Sequence, residues 1–139
     1  MSVRTEEVRL STEAGCTIYD ITASVEEAVG RTSIKDGMVL LFVPGSTAAI
    51  TTIEYESGAV HDLKAAIERL FPQDIEYRHN LRWGDDNGHS HVRAAMMGPS
   101  LMVPLVNGKL VLGTWQQVVF VELDVRPRQR RIVVQVMGE

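Results

Sequence analysis

Ser100-Leu101-Met102-Val103-Pro104-Leu105-Val106-Asn107-Gly108-Lys109-Leu110-Val111-Leu112-Gly113 carries the strongest short hairpin signal in the chain. Asn and Gly both accept the positive φ that a two-residue hairpin turn requires. Asn107-Gly108 therefore predicts a tight turn between two strands, Ser100 to Val106 and Lys109 to Gly113. Beyond it, Trp115 to Val125 and Arg131 to Met137 read as two more strands. Four strands in succession with short connections pair most simply as antiparallel neighbours.

Upstream the pattern alternates between strand and helix. Val3 to Leu10 reads as a strand. Asp20 to Gly30 spaces Ile21, Val25, Ala28 and Val29 as a helix does, and Gly30 suits its end. After the Asp36-Gly37 turn, Met38-Val39-Leu40-Leu41-Phe42-Val43 is a continuous apolar run, the signature of a strand buried on both faces. Pro44-Gly45-Ser46 links it to Thr47 to Ile53. Ser57 is placed to cap a helix reaching about Leu70, which Phe71-Pro72 ends. After a short connector, Ser90 to Met97 reads as a second helix stopped by Gly98-Pro99. The order β-α-β-β-α-α-β-β-β-β predicts an α+β fold, a single domain over residues 1–139 with helices packed on a mainly antiparallel sheet.

Composition bounds the partners. In 139 residues, 45% apolar and 23% charged describe a globular chain with a true core. A net charge of -4 argues against non-specific nucleic-acid binding. No apolar run approaches a membrane span, and Met1 to Glu7 lacks the apolar stretch of a signal peptide. The single cysteine, Cys16, excludes an intrachain disulfide and has no basic neighbour in sequence to activate it. The expected compartment is the cytoplasm.

The chemistry concentrates between residues 79 and 91. His79-Asn80-Leu81-Arg82-Trp83-Gly84-Asp85-Asp86-Asn87-Gly88-His89-Ser90-His91 holds three of the four histidines and two adjacent aspartates. Imidazole and carboxylate are the groups that bind divalent metals or move protons near neutral pH. His79, His89, His91 and Asp86 are the candidate metal ligands, for zinc, magnesium or manganese. On a regular helix His89 and His91 would diverge by roughly 200°. At a helix mouth beginning at Ser90 they can still converge. Adjacent aspartates point apart, so only one is expected to face a site, the other closing the turn.

Other candidates lie elsewhere. Glu54 ends a strand and is placed to act as a base or to orient one. Gly113-Thr114-Trp115-Gln116 interrupts a β run, offering Thr114, Trp115 and Gln116 to a ligand; core packing explains a lone tryptophan equally well. Arg126, Arg128, Arg130 and Arg131 crowd the final turn, with Arg128 and Arg130 the candidates for phosphate, since guanidinium forks match phosphate oxygens. A solvated turn is the competing explanation.

Taken together, these residues resemble the YjbQ family, the secondary thiamine-phosphate synthase group. The resemblance runs over nearly the whole chain. It rests on Gly108 to Gln116 with Glu122 and Pro127-Arg128-Gln129-Arg130, on His79-Asn80 with Asp85-Asp86 and His91, and on Thr51 to Glu54 with Asp62. It implies an α+β homotrimer and a catalytic site of Glu54, His79, Asp86 and His91, with Trp115 beside it. It also implies weak joining of a hydroxymethylpyrimidine diphosphate to a thiazole phosphate, with a divalent metal and arginines stabilising the departing diphosphate. Two positions depart from the pattern: Gly45 stands where the family has histidine and Ile53 where it has asparagine. His89 is the candidate to supply the lost imidazole. The expected ligand is a small phosphorylated or heteroaromatic molecule. A metal-assisted hydrolase and a non-catalytic binding trimer are the alternatives.

Overall fold

The computed structural model describes residues 1–139. Its elements are β1 (Ser2–Thr12), β2 (Thr17–Asp20), α1 (Thr22–Arg31), β3 (Gly37–Phe42), β4 (Ala48–Ile53) and α2 (Ser57–Leu70), then α3 (Arg78–Trp83), α4 (Gly88–Met97), β5 (Ser100–Val106), β6 (Lys109–Leu110), β7 (Gln117–Glu122) and β8 (Arg128–Gly138). The strands form two sheets, a larger one ordered β1-β8-β3-β5-β6 and a smaller one ordered β2-β7-β4. Every pairing is antiparallel. This is the α+β, mainly antiparallel architecture expected.

The hairpin forms as its turn chemistry dictates. Asn107 and Gly108 take φ of 51° and 76°, and Leu105 pairs with Leu110 and Val106 with Lys109. β6 is shorter than the run to Gly113 suggested. Val111 N–H still donates to the Pro104 carbonyl, but proline has no N–H to return the bond, so the ladder stops there.

The smaller sheet is covered on both faces. Val118 and Phe120 of β7 face Val39, Leu41, Ile132, Val134 and Val136 of the larger sheet, with α1 closing the side through Val25, Ala28 and Val29. Val119 and Val121 face the other way, against Ile67 of α2 and Ala94 of α4. Burying one such side chain contributes about 1.5–3 kcal/mol, so β7, buried from Val118 to Glu122, anchors the layers.

The larger sheet has no layer over its outer face. Here the expectation for Met38 to Val43 fails: Val39 and Leu41 are fully buried, but Met38 is 47% and Phe42 41% exposed. The run is apolar throughout, yet only one of its faces finds a partner within the chain. Two short elements, β2 and α3, were not expected. α2 is capped by Glu56 rather than Ser57, its carboxylate accepting from Gly58 and Ala59 N–H at 2.7 and 2.9 Å. No helix is long and apolar enough to cross a membrane.

Candidate active site

α3 and α4 meet at a corner that brings imidazoles together. Gly84 ends α3 in the left-handed conformation (φ 70°), and Asn80 Oδ1 accepts from Gly88 N–H at 2.8 Å, fastening the start of α4 to α3. A side chain at Gly88 would drive its Cβ to 2.5 Å from Tyr77 Cβ, so only glycine permits this approach. Across the corner the rings of His79 and His91 lie 4.4 Å apart between centroids, inclined by 43°. His79 Nδ1 is 3.3 Å from Asp85 Oδ1. The Asn87 amide, oriented to satisfy its neighbours, donates to the same carboxylate at 3.0 and 3.2 Å. The same amide also donates to His79 Nδ1 at 3.3 Å, so in the neutral ring Nδ1 accepts and Nε2 carries the proton.

The aspartate that joins the histidines is thus Asp85, not Asp86. Asp86 sits at φ 55° and turns to a different concavity beside Glu68, Asp74 and Asn80. His89 is corrected as well. Because α4 starts at Gly88, His89 and His91 both lie in regular helix and diverge. His89 is 3% exposed, its Nδ1 lacks a partner, and it lines a pocket of ≈ 290 Å³ with Cys16, Glu68, Arg93 and Asp124. Burial first, and then the Arg93 charge, push its pKa below the ordinary histidine value. His91 instead lines a separate pocket of ≈ 350 Å³ with Gly45, Ser46, Ala48 and Pro99.

Of the expected metal set, only His79 and His91 stand together. No three histidine, cysteine, aspartate or glutamate side chains converge on a point that could hold an ion. A catalytic zinc takes three protein donors, and His79 and His91 supply two of them.

Glu54, Thr114, Trp115 and Gln116 lie at the far end of the smaller sheet. Ala48, beside His91, pairs with Glu122, whereas Ile53 pairs with Gln117. Six residues of strand separate Ala48 from Glu54, about 20 Å at a strand's rise per residue. Gln116 ties this end together: its Nε2 donates to Thr52 Oγ1 at 3.0 Å, and its Oε1 accepts from Gly113 N–H at 3.0 Å. Trp115 is 72% exposed, in a turn rather than the expected strand. Within the chain, Glu54 and Trp115 do not meet the histidines.

The arginines differ sharply. Arg130 is buried, with Nε and Nη2 donating to the two Glu122 oxygens at 2.7 and 2.6 Å and Nη2 also reaching Thr47 Oγ1 at 2.8 Å. Burial works to raise the Glu122 pKa, but the bonds from Arg130 and Thr12 prevail and hold it below the carboxylate range. Arg128 donates to Asp124 Oδ2 at 2.8 Å. Burial pushes Asp124 up, yet hydrogen bonds from Val125 N–H and Thr47, with the Arg128 charge, bring it down. Both arginines, with Arg9 and Arg131, border a pocket of ≈ 250 Å³. It opens at Pro44, next to the Gly45 and Ser46 that line the His91 pocket.

Relatives share this architecture. A UPF0047 protein of Methanothermobacter thermautotrophicus is 40% identical over 139 residues, covering 100% of this chain and 95% of its own. One of Archaeoglobus fulgidus is 38% identical, over 94% of this chain and 99% of its own. Among solved structures, a YbjQ-like protein of unknown function from Sulfolobus solfataricus superposes with a TM-score of 0.94 at 38% identity, covering 99% of both chains. A hypothetical protein of Aeropyrum pernix gives 0.91 at 34%, over 98% of this chain and 99% of its own. The family model for UPF0047, YjbQ-like proteins matches residues 6–139, and the chain belongs to that family.

Proposed function

We propose that the protein is a small enzyme acting on a phosphorylated or heteroaromatic metabolite at the His79–His91 corner. Joining a hydroxymethylpyrimidine diphosphate to a thiazole phosphate is the nameable case. The observation that carries this reading is the imidazole pair, with Asp85 and the Asn87 amide beside His79 Nδ1. In that reaction the thiazole nitrogen attacks the pyrimidine methylene, the C–N bond forms, the C–O bond breaks and diphosphate leaves. The pair supplies a hydrogen bond or proton to the departing oxygen. The arginine-lined pocket across Pro44 supplies the positive field for the phosphates.

The homotrimer belongs to the same proposal. Met38, Phe42, Met102, Val106 and Met137 leave 40–57% of their surface exposed, chiefly along the uncovered outer face of the larger sheet. Apolar exposure of that kind marks an interaction surface. A second copy is the occupant we assign, because Glu54 and Trp115 need another molecule to approach a histidine corner.

The test is a screen of the purified protein against phosphorylated metabolites, including the diphosphate and thiazole phosphate pair, beside His79→Ala and His91→Ala. Turnover by the native protein, lost in both variants, is the expected result. Equal turnover in all three would sink the assignment.

A further inference from the structure

The four arginines around Pro44 form a better-built anion site than their sequence suggests. Arg9 and Arg131 stand directly opposite each other on β1 and β8, a like-charge cross-strand pair that is unfavourable unless something neutralises it. Glu7 does so only in part, accepting from Arg9 Nη2 at 3.0 Å and from Arg131 Nη1 at 3.1 Å. Arg130 is the buried member, its side chain 5% exposed. Its bonds to Glu122 and Thr47 use Nε and Nη2 and leave Nη1 without a protein acceptor. That Nη1 faces Gly45, where a Cβ would lie only 2.9 Å from it, on the side of the His91 pocket, whereas Arg9 and Arg131 point to the exposed face of the sheet. Counting the acids that touch these arginines, Glu7, Glu122 and Asp124, four positive charges meet three negative ones. No carboxylate lines the ≈ 250 Å³ pocket itself.

We propose that this pocket binds the phosphate or diphosphate group of a small metabolite, with Arg9 and Arg131 as its donors and Arg128 and Arg130 at its rim. A guanidinium carries five N–H groups. Arg9 and Arg131 each give one to Glu7, so both keep donors for bidentate contact with phosphoryl oxygens. Glu7 is the competitor: it occupies the two guanidiniums that the anion would draw inward. The anion's catalytic meaning rests on the phosphorylated-substrate reading above, whereas the site itself is measurable without turnover.

Calorimetric titration of the native protein with inorganic phosphate and with pyrophosphate at low ionic strength tests it. Saturable binding is expected, tighter for pyrophosphate. Arg9→Gln and Arg131→Gln should each weaken it about tenfold, the loss of one charged hydrogen bond. Glu7→Gln should strengthen it several-fold by releasing both guanidiniums. Binding that is absent, or unchanged in Arg9→Gln and Arg131→Gln, would overturn the site, whatever the activity screen finds. Phosphate binding that follows this pattern with no substrate turned over would establish the site and sink the enzyme reading alone.

Discussion

Arg130 and Glu122 form a closed ion pair in the core, Nε on Oε1 at 2.7 Å and Nη2 on Oε2 at 2.6 Å, with the glutamate fully buried. Thr12 Oγ1 and Asp124 N–H donate to the same carboxylate at 2.6 and 3.1 Å, so its oxygens have partners on every side. Removing one partner from such a pair leaves a buried charge uncompensated, which costs about 3–5 kcal/mol. Arg130→Leu should lower stability by that order in urea denaturation. Because the folded pKa of Glu122 is held below its ordinary 4.5, the pair stabilises fully above that value and fades as pH falls through the lower folded value. In Arg130→Leu the lone carboxylate would gain from protonation, so the stability gap to the native protein should narrow in acid. A gap independent of pH would contradict the pairing.

The two adjacent aspartates are separable by function. Asp85 touches His79 and Asp86 turns away in the left-handed region. Asp85→Asn should lower kcat/KM about 10–100-fold, the range for losing a partner that orients a functional imidazole. Asp86→Asn, whose side chain tolerates the same φ, should leave it within a few-fold. Steady-state kinetics on the substrate found by the screen decides, and equal losses in both would remove Asp85 from its role.

His89 should govern stability rather than chemistry. Its pKa lies below the ordinary 6.5, chiefly through burial, so the unfolded chain takes up a proton that the folded one refuses. Its contribution is full above 6.5 and declines as pH drops below that value toward the folded pKa. His89→Leu should therefore flatten the loss of stability between neutral and mildly acid pH while turnover stays near native. Denaturation curves at several pH values, with activity assayed in parallel, would expose the opposite outcome.

What was legible in the chain was what local chemistry dictates. Asn107-Gly108 admits few conformations, and Gly98-Pro99 ends a helix whatever surrounds it. Partition within the histidine loop was not legible, because it hangs on two backbone facts with no sequence period. Asp86 rather than Asp85 takes the positive φ, and α4 begins at Gly88 rather than Ser90, which turns His89 into the core. α3 leaves no mark in the sequence because six residues with no side-chain cap and no buried residue give no periodic signal. Met38 and Phe42 misled for another reason: apolar residues on an uncovered face look, in sequence, like core.

The separation of Glu54 and Trp115 from the histidines gives the most discriminating experiment on assembly. Both ends carry residues of the family pattern, yet β4 holds them about 20 Å apart, and Trp115 is 72% exposed. If copies assemble so that one molecule's Trp115 turn meets another's histidine corner, a His79→Ala chain and a Trp115→Ala chain each lack a different half. Each variant alone should be inactive. When the two are unfolded together and refolded as mixed oligomers, some sites pair an intact corner with an intact turn. Activity should then return to a fraction of native, scaling with the product of the two variants' proportions. Native mass spectrometry would verify that mixed trimers formed. Mixed trimers without recovered activity would mean that the two ends serve separate purposes, with the histidine corner working without Trp115.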